Sequence, residues 1–226
     1  LQGKDLRGAN LAMTNLEDSN LSHANLSGAT LTGSRLNRSK LLGITLDNAD
    51  LRWAEFERAD ISSASLQQAN LSEAKLQRTQ LAGSDLSGSN LVQADLRSAN
   101  LKSTRLENAN LSAADLSDAN LFGANLNRTN LGNSNLQRAN LAQTRIQQSN
   151  LAWANLSGAN LASSNISDSN LAHVTMHQTL LKWANLSRCN LSDAKLSQSS
   201  LTAVSFVDSF LPRADPIYHH TLYWLD

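Results

Sequence analysis

The chain has 226 residues, with 19 basic and 19 acidic side chains, only two prolines and 4% aromatic residues. A formal net charge of zero gives no basis for direct nucleic-acid binding, and no apolar run approaches the ~20 residues of a membrane helix. A single cysteine, Cys189, excludes an internal disulfide, so we expect a reducing, cytoplasmic location. Leucine, alanine, asparagine and serine prevail throughout, which is typical of a repeated sequence.

An apolar residue recurs at every fifth position from Leu1 to Leu211 without interruption, and nearly all of these residues are leucine. A small residue, such as Ala119 or Ala124, lies two positions before almost every one. On an α-helix five residues advance by ~500°, which would spread the leucines over every side. On a straight strand an odd step would place successive leucines on opposite faces. Neither element gives these leucines a common core.

The pattern fits a chain in which each pentad is a three-residue extended piece followed by a two-residue corner. All glycines except Gly132 occupy the second residue after the apolar one, where a tight corner needs a positive φ. Successive coils must then pair as parallel strands to satisfy their backbone groups. The sequence therefore predicts a parallel β-helix that encloses its own leucines. Leu1 already belongs to a repeat, so either residues preceding it are missing or that end docks on another molecule.

Charged residues are concentrated in every second pentad, which indicates a coil with an even number of sides. Four pentads per coil is the simplest case and gives about eleven coils in a rod about 50 Å long. One charge-rich wall mixes residues such as Arg105 and Asp85, and the other mixes Arg58 with Glu55. Asparagines recur every twenty residues from Asn70 to Asn190, which predicts a ladder along the rod.

The stretch from Asp118 to Leu126 repeats an Ala-(Asn or Asp)-Leu-X-X pattern, and residues 1–215 resemble the pentapeptide-repeat family. The resemblance implies an all-β fold, a right-handed quadrilateral parallel β-helix, and a role in binding. Some members bind DNA gyrase or topoisomerase IV as acidic, DNA-shaped rods and protect against quinolones or toxins. A type II topoisomerase is therefore the alternative partner. The nearly uniform leucine core, the mixed charges and the absence of an interrupting loop count against it.

The sequence favours a non-enzymatic, rigid solenoid that binds a protein partner of unknown identity, without catalytic, metal or cofactor sites. Interface cores are depleted of charge and enriched in aromatic residues, so the two charge-poor walls are the candidate surfaces. The candidate contact residues are Trp53 and Trp153 on one wall, and Leu42, Phe122 and Trp183 on the opposite wall. The alternative is that these are ordinary surface side chains that pack only against their neighbours. His173 and His177 flank a corner and point from different walls, so no metal pair is expected.

The five-residue period fails at Pro216, so residues 216–226 are predicted to be a separate capping segment. Asp215 and Pro216 resemble the start of a helix, with Asp as the N-cap. The segment is expected to cover the open end of the core or to join two copies into a homodimer. Its contact residues would be Ile217, Tyr218, Leu222, Tyr223 and Trp224.

Overall fold

The computed structural model describes residues 1–215, and this entire range is a parallel β-helix. Parallel bridges join residues twenty apart in sequence, from Asp5 with Asn25 to Asn190 with Phe210. Each coil therefore contains four pentads, as the charge pattern predicts. Each strand is a single bridged residue between two-residue turns, and residues 1–215 contain no helix. The all-β fold class predicted from the sequence is confirmed.

Every backbone N–H of a typical pentad has an acceptor, as the pentad from Leu121 to Asn125 illustrates. Leu121 N and Gly123 N donate to carbonyls of the following coil at 2.8 and 3.0 Å, and Asn125 N donates to Thr104 O of the preceding coil at 2.9 Å. Ala124 N closes the corner by donating to Leu121 O at 2.9 Å. The remaining donor, Phe122 N, is bound by the side-chain Oδ1 of Asn120 at 3.2 Å. Where asparagine or aspartate precedes the core residue, as at Asn120 and Asp85, its side chain thus completes the backbone hydrogen bonding.

The corner residue, two positions after each core leucine, has a positive φ of 54° to 69° at every pentad. Together with the bond between the first and fourth residues, this describes a type II turn. Only a minority of these corners carry glycine, although the left-handed region costs other residues roughly 1–2 kcal/mol. The hydrogen bonds to both neighbouring coils hold the corner in this conformation.

The core is a single column of leucines and small residues that runs along the rod axis, with Phe56 as its largest fully buried side chain. Serine and threonine at the small inward position donate to backbone carbonyls; Ser84 Oγ, for example, lies 2.7 Å from Ile61 O. Cys189 occupies the same position, with Sγ 3.1 Å from Ile166 O. No buried side-chain nitrogen or oxygen in residues 1–215 lacks a partner.

The outward side chains form four faces, each made by two positions in every coil and by the corner residue that follows them. We number the faces by the positions equivalent to Asn20 and Ser22 (face 1), Asn25 and Ser27 (face 2), Thr30 and Thr32 (face 3), and Arg35 and Asn37 (face 4). With four sides per coil, face 1 lies opposite face 3. The predicted asparagine ladder lies on face 3, where Asn130 Nδ2 donates to Asn110 Oδ1 at 3.2 Å and Asn150 Nδ2 donates to Asn130 Oδ1 at 3.0 Å.

Candidate protein-binding faces

Faces 2 and 4 carry most of the charged residues, and their charges are largely paired. On face 2, Arg188 makes two hydrogen bonds to Asp168, at 2.6 and 2.8 Å. On face 4, Arg138 binds Asp118 in the same way, with both bonds at 2.7 Å. The hydrogen bonds from Arg188 hold the pKa of Asp168 below its usual range. These pairs join adjacent coils, so neither face presents a continuous field of one sign.

Face 3 carries Trp53 and Trp153 at equivalent corners, with 49% and 61% of their surfaces exposed. The Trp153 ring stacks on His173 of the next coil, with centroids 4.0 Å apart and planes inclined by 13°. Contacts between corner residues continue over the next two coils, because His173 Nδ1 lies 3.8 Å from Asp193, which is itself bound by Arg213. The stack on His173 therefore fixes the orientation of the Trp153 ring.

Face 1 carries Leu42, Phe122 and Trp183, and lysines lie beside the two aromatic rings. Lys182 Nζ lies 4.0 Å from the centroid of the Trp183 ring, and Lys102 Nζ lies 5.8 Å from that of Phe122. Both distances are within the range of cation–π attraction. Trp183 is 59% exposed and Leu42 is 42% exposed, whereas Phe122 is partly buried.

The structure thus distributes the five candidate residues over two opposite faces, and it adds partners that the sequence reasoning missed. His173 follows Trp153 by twenty residues, and Phe122 follows Lys102 by the same interval. A search for side chains one coil apart would have found both pairs. The predicted contact residues of the C-terminal segment, from Ile217 to Trp224, lie outside the described residues.

Residues 1–215 hold no group of three or more His, Cys, Asp or Glu side chains arranged to bind a metal ion. A shallow notch of about 380 Å³ on face 4 is lined by Glu57, Gln77, Arg78, Arg97, Ser98 and Asp118, in which both signs of charge are present. Burial raises the pKa of the Cys189 thiol to about 11, which leaves it a poor nucleophile. The same range contains no helix with the length and apolar character needed to span a bilayer.

A twenty-residue, four-sided coil with leucine inside and asparagine before it defines a class of solenoid, and sequence comparison agrees. The chain belongs to the pentapeptide-repeat family, because the family model for pentapeptide repeats matches residues 1–38, 36–73, 74–112, 114–151, 149–188 and 179–215. No match was found among curated protein sequences.

Among solved structures, the chain is similar to HetL, a pentapeptide repeat protein involved in heterocyst differentiation regulation from the cyanobacterium Nostoc sp. strain PCC 7120. The identity is 32%, the match covers 92% of this chain and 90% of HetL, and the TM-score is 0.80. A second Nostoc pentapeptide repeat protein, alr5209, is 34% identical over 47% of this chain and 69% of its own, with a TM-score of 0.32. QnrB1, a plasmid-mediated fluoroquinolone resistance protein, is 19% identical over 80% of this chain and 85% of its own, with a TM-score of 0.37.

Proposed function

We propose that this protein is a non-enzymatic, rigid rod that presents its charge-poor faces to a protein partner in a regulatory or scaffolding role. The observation that carries the proposal is the exposure of Trp53, Trp153 and Trp183 on faces 1 and 3. A tryptophan side chain buries 150–250 Å² when it is covered, and such rings concentrate binding energy at interfaces. The regulatory role described for HetL supports this class of function.

The rod is suited to binding because its backbone is already ordered and loses little conformational entropy when a partner binds. Every coil is hydrogen-bonded to its neighbours, so the faces are preorganised and a partner need not order them. Support from neighbouring side chains extends this order to the rings, as the stack of Trp153 on His173 illustrates. Such a surface favours recognition by shape along several coils.

The topoisomerase-directed alternative requires a surface that imitates the phosphate backbone of DNA. The arginine–aspartate pairs on faces 2 and 4 cancel their fields beyond a Debye length of ~8 Å at physiological salt. Such cancellation counts against an acidic mimic, so a protein partner bound through faces 1 and 3 is the function that we favour.

The test is an affinity capture from lysate of the source organism, using the wild-type protein and a variant with Trp53→Ser, Trp153→Ser and Trp183→Ser. The matched control carries Gln68→Ser, Gln148→Ser and Gln178→Ser, which are exposed residues at the same turn position on faces 2 and 4. All three proteins should have the same circular dichroism spectrum. A partner that is identified by mass spectrometry, kept by the control and lost by the tryptophan variant would support the proposal. Recovery of gyrase together with inhibition of DNA supercoiling would refute it.

A further inference from the structure

Face 1 carries charged side chains of almost one sign, although the whole chain is neutral. Lys40, Lys102 and Lys182 are all exposed, and none of them takes part in a salt bridge within residues 1–215. The one carboxylate among the described residues of this face, Asp60, is the bridge partner of Lys40 in the next coil and accepts a hydrogen bond from Ser62 N at 3.1 Å. Face 1 is therefore poor in charge but carries three lysines against one carboxylate, on a rod whose other charges are mostly paired.

Each of these lysines lies beside a large apolar side chain. Lys40 and Leu42 project from the same side of one coil, Lys102 lies against Phe122, and Lys182 lies against Trp183. Leu180, which is 51% exposed, adds a further apolar residue next to Lys182. Three basic and apolar clusters therefore follow one another along a single face, and small or polar residues lie between them.

Face 3 differs from face 1 both in the pairing of its basic residues and in the exposure of its aromatic rings. Its arginines are neutralised locally, since Arg52 binds Asp50 at 2.7 Å and Arg213 binds Asp193 at 2.7 Å. One side of the Trp153 ring is covered by His173. Face 3 therefore offers apolar contact without an unpaired basic group, whereas face 1 offers both.

We propose that face 1 docks an acidic protein segment whose carboxylates pair with Lys40, Lys102 and Lys182 and whose apolar side chains contact Leu42, Phe122 and Trp183. This inference rests on the proposed function and specifies the face and the chemistry of the partner. Leu42 and Trp183 lie seven coils apart, which at ~4.8 Å per coil is about 34 Å. Neighbouring lysine clusters are separated by more than a Debye length of ~8 Å, so each lysine attracts a nearby carboxylate independently of the other clusters. The docked segment must therefore have its acidic residues in register with the clusters.

The binding test uses a synthetic, fluorescein-labelled helical peptide of about 22 residues, the length that spans 34 Å at 1.5 Å per residue, composed of Glu, Leu, Ala and Trp. A second peptide has Gln in place of every Glu. Fluorescence anisotropy with the full chain should give at least roughly tenfold tighter binding of the Glu peptide, with an advantage that shrinks as salt is added. Equal binding of the two peptides, or no binding of the Glu peptide, would overturn the inference.

The face is tested with two variants of equal charge change. Lys40→Glu, Lys102→Glu and Lys182→Glu should together weaken binding of the Glu peptide by roughly tenfold or more. The matched control, with Lys75→Glu, Arg145→Glu and Lys195→Glu on faces 4 and 2, should retain most of the affinity. Similar losses in both variants would indicate unspecific attraction and overturn the inference. The apolar half of the proposal is tested with Phe122→Ser plus Trp183→Ser, against Trp53→Ser plus Trp153→Ser as the control.

Two other occupants of face 1 give different results. A labelled DNA duplex that binds wild type as tightly as the Glu peptide, and is released by the face 1 variant, would identify a phosphate-binding wall and overturn the inference. A dimer in sedimentation that dissociates in the face 1 variant would identify a second copy of the chain as the occupant and overturn the inference. If a captured partner is lost with Trp53→Ser plus Trp153→Ser but kept by the face 1 variants, the inference fails while the proposed function stands.

Discussion

The corners of the coil store backbone strain, and two alanine-to-glycine substitutions on face 3 should reveal it by opposite effects on stability. Ala113 is a corner residue with φ of 57°, whereas Ala152 lies one position earlier in an equivalent corner, where φ is not positive. Glycine relieves the left-handed strain of roughly 1–2 kcal/mol at the corner, but it adds backbone entropy to the unfolded chain worth roughly 0.5–1 kcal/mol at either position. We therefore expect Ala113→Gly to stabilise the rod by about 0.5–1 kcal/mol and Ala152→Gly to destabilise it by a similar amount.

The assay is guanidinium unfolding followed by circular dichroism, with the slope of the transition compared between variants to check that each unfolds in the same way. The difference between the two free energies of unfolding isolates the strain, because the entropy of glycine is common to both. Gly123→Ala gives the reverse experiment: the added Cβ would have Ser103 Oγ as its nearest neighbour at 3.7 Å, so it makes no clash, and the strain is offset only by the reduced entropy of the unfolded chain. If Ala113→Gly destabilises the protein as much as Ala152→Gly does, the corners are not strained and the reasoning is wrong.

Three further predictions concern the core, the ladder and the cysteine. Phe56→Ala should lower the free energy of unfolding by about 3–5 kcal/mol in the same assay, because it empties a fully buried site, whereas Phe56→Leu should cost less than about 1.5 kcal/mol. Asn130→Ala should cost about 1–2 kcal/mol, because it removes hydrogen bonds with Asn110, Asn150 and Gly132 N; an unchanged melting transition would contradict this. Cys189 should resist a thiol reagent at pH 8 in the folded protein and react after unfolding, since its pKa is raised to about 11. Because the pKa of Cys189 is higher in the folded than in the unfolded protein, its contribution to the free energy of unfolding is fully present below about pH 9 and is lost as the pH rises towards 11. Cys189→Ser should remove this part of the loss of stability at high pH.

The fold could be predicted from the sequence because each pentad repeats the same local requirements. The leucine fixes the inward side, the small residue before it leaves room for neighbouring leucines, and the glycines mark the corner. The four-sided coil followed from the outward charges, since walls that alternate in charge need an even number of sides. The bridges twenty residues apart confirm that step, from Asp5 with Asn25 onward.

The candidate site was predicted less completely, because contacts between coils depend on side-chain conformation. The sequence placed Trp153 and Trp183 on charge-poor walls, but it did not show that one ring stacks on His173 and the other lies beneath Lys182. A coil length of twenty limits the neighbours of each residue to a few, yet several rotamers remain open to a long side chain. The unpaired state of the face 1 lysines likewise depends on which carboxylates reach them.

In such a rod, functional residues are expected at outward positions where the side chain does not provide the hydrogen bonds that stabilise the backbone. Face 1 has a second, shorter row of asparagines, in which Asn140 Nδ2 donates to Asn120 Oδ1 at 3.2 Å and Asn160 Nδ2 donates to Asn140 Oδ1 at 3.4 Å. This row stops at the next position, where Leu180 is 51% exposed. Leu180 also leaves Lys182 N without the side-chain acceptor that Asn120 provides for Phe122 N. Leu180→Asn should therefore stabilise the rod by about 1 kcal/mol while weakening the docking of the acidic peptide. A variant that gains stability and keeps full affinity would show that Leu180 is an ordinary surface residue, whereas a gain in stability with a loss of binding would show that this position is maintained for its contact with a partner.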